Sequence, residues 1–264
     1  MCTVIIGVDV LEPASVILAA NRDELPSRAS APPALLNRDP RVAGGRDLVA
    51  GGTWLAVRER RAVFALLNRR PLATPPPEAV AQRRSRGLLT LDLACTPAGS
   101  GPAAFADVCE RAARAAFAAA SYGPCSLLFA SPERSWIASH DGRSPLRLET
   151  AKPGWHVVTH VDLDDRTEPR TAWLLGRLGG WRPGSPDEAI ARLRDLLGTH
   201  ADARSRTPAV CIHDESPMST VSSAIVWLSH DRGRYLHAEG RPCTSPFVDH
   251  SHLLAETAAA GERA

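Results

Sequence analysis

The chain opens on two apolar runs, Cys2 to Val10 and Ser15 to Ala20, separated by a break at Leu11 to Ala14 that carries Pro13. Both runs are short and the first is rich in Val and Ile, so the pattern predicts two strands of a hairpin rather than a helix. The second run ends in four polar residues, Asn21-Arg22-Asp23-Glu24. A hairpin closed across Leu11 to Ala14 pairs Val10 with Ser15 and brings Cys2 opposite Asp23. Opposed residues share a face with Cβ atoms about 5 Å apart, and a slip of one residue offers Arg22 or Glu24 instead. In each register a thiol meets a charged cluster.

Leu25 to Gly52 lacks periodicity and contains Pro26, Pro32, Pro33, Pro40 and the pairs Gly44-Gly45 and Gly51-Gly52. It reads as a long loop over the mouth of the first hairpin, where the glycine pairs either serve plain turn chemistry, the favoured reading, or allow close backbone approach to a ligand. Trp54 to Arg58 and Ala62 to Asn68 form a second hairpin. Helices follow over Arg83 to Cys95 and Ala103 to Ala119, the latter with Phe105, Val108, Ala112 and Ala116 at helical spacing. Cys125 to Ala130, Ser135 to His140, Arg147 to Thr150 and Trp155 to His160 read as strands beginning a second sheet. Glu168 to Leu178 is helical, and the next helix has Ser185 as N-cap, Pro186 at its first position, Glu188 completing a capping box and Gly198 as its stop. Ala209 to His213, Ser222 to Ser229 and Tyr235 to Glu239 are the closing strands, and Leu253 to Ala264 is an Ala-rich tail.

The length of 264 residues suits one domain spanning 1–264, with Pro75-Pro76-Pro77 as a stiff connection rather than a boundary. A net charge of +2 gives no reason to expect nucleic acid, and Lys152 is the only lysine. No apolar run approaches the roughly 20 residues of a membrane span. Cys2, Cys95, Cys109, Cys125, Cys211 and Cys243 contain no Cys-x-x-Cys pair and no metal-ligand spacing. His213-Asp214-Glu215 reads as a solvated turn, because neighbours on a strand point to opposite faces. The expectation is therefore a cytoplasmic protein with free thiols and no metal.

Cys2 carries the candidate chemistry. Cys is small enough for removal of the initiator Met, which would make Cys2 the terminal residue. A free α-amine titrates near pH 7.7 to 8.0 and a thiol near 8.5, so that amine can accept the thiol proton. A small buried hydrophobe at a strand start is the competing reading. Arg83, Arg84 and Arg86 offer either an anion contact or a solvated helix start.

Met1-Cys2, Ile17-Leu18-Ala19-Ala20-Asn21-Arg22-Asp23-Glu24, Ser27-Arg28, Gly51-Gly52-Thr53-Trp54-Leu55, Leu66-Leu67-Asn68 and Arg84-Ser85-Arg86-Gly87 together resemble the NRDE, or transport and Golgi organisation protein 2, family. The resemblance is dense over the first third of the chain. It implies an α+β fold, a four-layer αββα sandwich of the N-terminal-nucleophile hydrolase type with antiparallel sheets, akin to bile-salt and penicillin V acylases. Some family members are associated with haem trafficking. By this resemblance Cys2 attacks a carbonyl, Asp23 orients its amine, Arg22 balances the carboxylate, and Asn68 is an oxyanion donor. His160 stands where acylases carry an asparagine, as a hydrogen-bond donor, an acid-base group or a plain strand-end residue. Relatives often carry an arginine before Ile225, where this chain has Met218 to Ser223. Asn21, Glu24, Gly51, Gly52 and Trp54 are the substrate-binding candidates. Two functions stay open: an amidase or thioesterase acting on a small molecule with no required cofactor, or a carrier of haem or an acyl amphiphile in the same pocket.

Overall fold

The computed structural model describes residues 2–70, 80–98, 102–213 and 217–254. Met1, the Pro75–Pro77 stretch, Asp214, Glu215 and most of the Ala-rich tail lie outside the described residues.

Two antiparallel sheets pack face to face. The first takes β1 (Thr3–Val8), β2 (Val16–Glu24), β10 (Gly154–Val158), β11 (Ser219–Leu228), β12 (Gly233–Glu239) and the two-residue β13 (Val248–Asp249), in the order β10-β1-β2-β11-β12-β13. The second runs in chain order from β3 (Ser30–Asn37) through β4 (Val42–Asp47), β5 (Leu55–Arg58), β6 (Ala62–Asn68), β7 (Cys125–Ala130) and β8 (Ser135–His140) to β9 (Arg147–Thr150). Helices α1 (Arg86–Ala94) and α2 (Pro102–Ala119) cover the outside of the second sheet, where Leu93, Phe105 and Cys109 meet Phe64 and Phe129. Helices α3 (Pro169–Leu178) and α4 (Pro186–Leu197) cover the first, where Leu174 and Leu193 meet Ile5, Ile17 and Ile225. A third apolar layer between the sheets holds Ile6, Leu18 and Val226 against Val57, Val63 and Leu128. Sheets covered on both faces need apolar residues at every position, which is why β1 and β2 read as unbroken apolar runs rather than alternating ones.

The capped helices form where expected. The Ser185 hydroxyl accepts from Glu188 N–H at 3.2 Å, and the Glu188 carboxylate reaches Gly184 N–H at 2.7 Å instead of the Ser185 amide. Glu168 caps α3 by accepting from Thr171 N–H at 2.7 Å.

Four expectations need correction. Leu25 to Gly52 is not a loop, since it folds into the β3–β4 hairpin at the edge of the second sheet. Edge position accommodates Pro32 and Pro33, which fall at an irregularity in pairing between Ala31 and Ala34. Gly44 is required because a Cβ there would lie 2.3 Å from the Leu55 carbonyl oxygen. Second, the first hairpin pairs Val8 with Val16 through Thr3 with Asn21, one residue away from the expected register. Asp9 and Ala14 adopt left-handed conformations, and Asp9 N–H bonds the Ser15 carbonyl at 2.9 Å, so the turn is longer than Leu11 to Ala14. Third, β7 to β9 extend the sheet already begun by β3 to β6, and only β10 crosses to the other sheet. Fourth, the segment from Ala209 to His213 is irregular rather than a strand, held by Val210 and Cys211 N–H groups that share the Thr199 carbonyl.

Candidate active site

β2 carries the four polar residues to the end of the sheet, and its period of two sends them to opposite faces. Arg22 continues the row of Leu18 and Ala20 between the sheets, whereas Asn21 and Asp23 continue the row of Ile17 and Ala19 under the helices. The observed register carried one step beyond Thr3 sets Cys2 level with Arg22, so thiol and guanidinium share the inter-sheet face. Asp23 meets the thiol with its backbone, since Cys2 Sγ donates to the Asp23 carbonyl at 3.8 Å. This corrects the expected thiol–carboxylate pair.

Arg22 is buried, with its guanidinium 4.2 Å from the Trp54 ring centroid and Nη1 donating to Ser30 Oγ at 3.2 Å. Asp23 is also buried; its Oδ1 accepts from Thr220 Oγ1 at 2.6 Å, and Arg170 Nη1 lies 3.6 Å from Oδ2. Burial raises the Asp23 carboxyl above its usual range, opposed by the Thr220 bond and the Arg170 charge. Arg170 also donates to Thr3 Oγ1 at 2.7 Å, joining the start of α3 to β1. Asn21 is 1 % exposed, and its amide donates to the Leu197 and Val210 carbonyls, both at 2.9 Å, and accepts from Ser223 Oγ at 2.6 Å. It touches only a small recess behind Cys2.

Cys2 opens on a cavity of about 590 Å³ whose wall includes Glu24, Trp54, Asn68, the start of α1 and the Gly123-Pro124 turn. Six arginines line it: Arg22, Arg28, Arg69, Arg83, Arg84 and Arg86. Three are paired with carboxylates, Arg28 with Asp47 at 2.7 Å, Arg69 with Asp162 at 2.6 Å and Arg84 with Asp92 at 2.5 Å. Among the described residues, Arg22, Arg83 and Arg86 have no carboxylate in ion-pair contact. Arg86 donates to the Pro124 carbonyl at 2.8 Å, and burial lowers its guanidinium pKa, as it does that of Arg22. Gly51 and Gly52 do not line the cavity; they turn the chain so that Thr53 N–H reaches the Gly87 carbonyl at 3.1 Å, which fastens the β4–β5 connection to α1.

Asn68 is exposed at the end of β6 and faces this cavity. His160 follows β10 and is absent from the lining; extending the β1–β10 register by two positions sets it level with Cys2 on the far side of β1. Burial, then the charges of Arg70 and Arg170, lower its imidazole pKa. The Cys2 thiol is pushed up to about 11 by burial first and the Asp23 charge second, with Arg22 opposing. At this thiol, burial and the Asp23 charge therefore outweigh the opposing Arg22 charge.

Arg170 and Thr220 were not legible as partners of Asp23, because nothing local to either marks a contact across so much chain. Arg170 supplies a cation near Asp23 that the Met218 to Ser223 stretch lacks.

Two antiparallel sheets between helical layers, with a cysteine leading the first strand into a cavity, define the N-terminal-nucleophile hydrolase fold. Solved structures of that class superpose on the chain. An N-acylethanolamine-hydrolyzing acid amidase ortholog from Caenorhabditis elegans matches with TM-score 0.58 and 12% identity over 85% of this chain and 92% of its own. Penicillin V acylase from Agrobacterium tumefaciens matches with TM-score 0.53 and 13% identity over 90% and 83%. The C2A mutant of conjugated bile acid hydrolase from Clostridium perfringens matches with TM-score 0.51 and 10% identity over 97% and 95%. No curated protein sequence matches significantly. The chain belongs to the Transport and Golgi organisation 2 family, whose model matches residues 1–225. No helix among the described residues is long and apolar enough to cross a membrane.

Proposed function

We propose that the chain is a cysteine N-terminal-nucleophile amidohydrolase or thioesterase for acyl substrates with an anionic end. The observation that carries this reading is the position of Cys2 in a cavity where Arg22, Arg83 and Arg86 lack carboxylate partners. Cationic groups in a partly desolvated cleft attract and orient an anion. Processing that removes Met1 frees the Cys2 amine to accept the thiol proton. Sγ then attacks the carbonyl carbon, the C–N or C–S bond breaks, and the proton passes to the departing amine or thiol. Water hydrolyses the resulting thioester, releasing the acid and restoring the thiol. Asp23, paired with Arg170 rather than Arg22, orients the amine; Arg22 presents its charge to the cavity beside the thiol, Asn68 donates to the oxyanion, and His160, outside the cavity lining, stays a strand-end residue. A preorganised oxyanion donor contributes about 3 kcal/mol to such a transition state.

Intact mass gives the first test, with loss of Met1 as the expected result. Cys2→Ala should then reduce turnover of anionic fluorogenic amides and thioesters to background with an unchanged melting temperature. Turnover that survives Cys2→Ala, or a processed wild type that turns over none of the panel, would overturn the hydrolase reading.

A second reading is a carrier of haem or an acyl amphiphile, supported by the arginines without carboxylate partners in the cavity wall. Arg83 and Arg86 would hold the ligand's carboxylates, and Cys2 is the soft donor in a described lining that contains no histidine. Here Cys2→Ala leaves carboxylate-dependent binding intact while Arg83→Ala weakens it.

A further inference from the structure

On the helix-covered side of the first sheet, three separate segments bring two histidines and two cysteines together. His200 follows the Gly198 cap of α4, Cys211 and His213 lie on the irregular stretch before β11, and Cys243 sits in the β12–β13 connection. Their ligand atoms all lie within 4.8 Å of one another. Cys211 Sγ and Cys243 Sγ are 3.6 Å apart, His213 Nε2 is 3.1 Å from Cys243 Sγ, and the His200 and His213 rings meet edge to face at 4.6 Å. A disulfide needs about 2.05 Å between sulfurs. A tetrahedral zinc ion with Zn–S of about 2.3 Å holds its two sulfurs about 3.8 Å apart, which is the separation found here to within a few tenths of an ångström.

We infer that His200, Cys211, His213 and Cys243 form a zinc site, distinct from the cavity at Cys2. Two thiolates and two neutral imidazoles match the donor preference of Zn²⁺ and balance its charge, with two protons released as the metal binds. Four protein ligands leave no open position, so the site is structural. It cross-links the end of α4, the approach to β11 and the β12–β13 connection. Both of the first two are also gripped by Asn21, through the Leu197 and Val210 carbonyls. Thr220 extends the coupling, taking Ile212 N–H at 2.8 Å on its hydroxyl while donating to Asp23. Zinc at this cluster therefore braces the ground behind Asp23 without touching the cavity. This inference is independent of what Cys2 does. The expectation of no metal rested on the missing Cys-x-x-Cys spacing; Cys211 and His213, two residues apart, are the local trace of this cluster in the sequence, and His200 and Cys243 reach it only through the fold.

The test uses the full chain exposed to zinc sulfate and desalted. Elemental analysis should find about one zinc per chain, and cobalt loaded into the metal-free protein should give thiolate charge-transfer and tetrahedral visible bands. His200 and Cys243 are exposed, so His200→Ala and Cys243→Ser should leave the fold intact while lowering zinc content about tenfold or more. Cys95→Ser should retain it. The melting temperature of the wild type should fall on chelation and recover with zinc. The inference is overturned if the wild type holds less than about a tenth of an equivalent, if Cys243→Ser keeps its zinc, or if protein isolated without reductant carries a Cys211–Cys243 disulfide that zinc does not replace.

Discussion

The two faces of β2 near its end use adjacent residues for opposite purposes. On the helix side, Asn21 and Asp23 sit among hydroxyls, carbonyls and Arg170 that hold α3, α4 and β11 in place. On the cavity side, Cys2 and Arg22 face arginines without carboxylate partners. Groups already bonded inside the protein stabilise the fold, while groups whose charge is left uncompensated are available to a ligand. Within Asn21-Arg22-Asp23-Glu24, side chains that face the helices thus alternate with side chains that face the cavity, and effects on stability and on ligand binding should separate the same way.

The largest effect on stability is expected on the scaffold face. Asn21→Ala strands two buried carbonyls and the Ser223 hydroxyl, and should cost about 3 kcal/mol or more, measured by chemical denaturation. A stability within 1 kcal/mol of wild type, as an order of magnitude for a single weak bond, would show that the two faces do not divide as described.

Arg83→Ala on the cavity face should leave stability unchanged. KM for a carboxylate-bearing substrate, or Kd for such a ligand, should rise by roughly tenfold to a hundredfold, as for loss of a charge-assisted hydrogen bond. A neutral analogue should be unaffected, and an equal loss for both would remove the anion from the proposal.

Gly52→Ala probes the contact between the β4–β5 connection and α1 beside the cavity. A Cβ at Gly52 would lie 2.2 Å from the Gly87 carbonyl carbon, so the β4–β5 connection must lift from α1 at a cost of about 1 to 3 kcal/mol. Hydrogen exchange should speed at Thr53, and wild-type protection there would argue that the cavity wall adjusts elsewhere.

A further expectation concerns pH. With Met1 retained, the Cys2 thiol stands at about 11, so only its small thiolate fraction reacts near neutrality. Alkylation followed by mass spectrometry should therefore accelerate about tenfold per pH unit between roughly pH 7 and 10. A plateau below about pH 9 would mean that Arg22 outweighs burial and Asp23.

Much of the sandwich was legible because local signals agreed. Ser185, Pro186 and Glu188 set the start of α4, and the runs at Cys125, Ser135 and Arg147 matched β7, β8 and β9 at both ends. The β3–β4 hairpin was missed because Pro32, Pro33 and the Gly44-Gly45 pair argue against a strand when considered locally. They are tolerated only because β3 is an edge and Leu55 and Trp54 crowd the positions that glycine occupies.

By itself, the chain's pattern determined most of the apolar strands and the capped helices, because each depends on neighbours within a few residues, while the fold family and Cys2 as the candidate nucleophile were implied by the resemblance of its motifs to a known family. Tertiary structure decided the rest. Which face receives Arg22 and which receives Asp23 depends on a register set by the left-handed turn residues Asp9 and Ala14. Likewise, the pairing of Arg170 with Asp23 and the meeting of His200, Cys211, His213 and Cys243 join segments far apart in the chain, whose proximity arises from how the layers stack rather than from anything written locally.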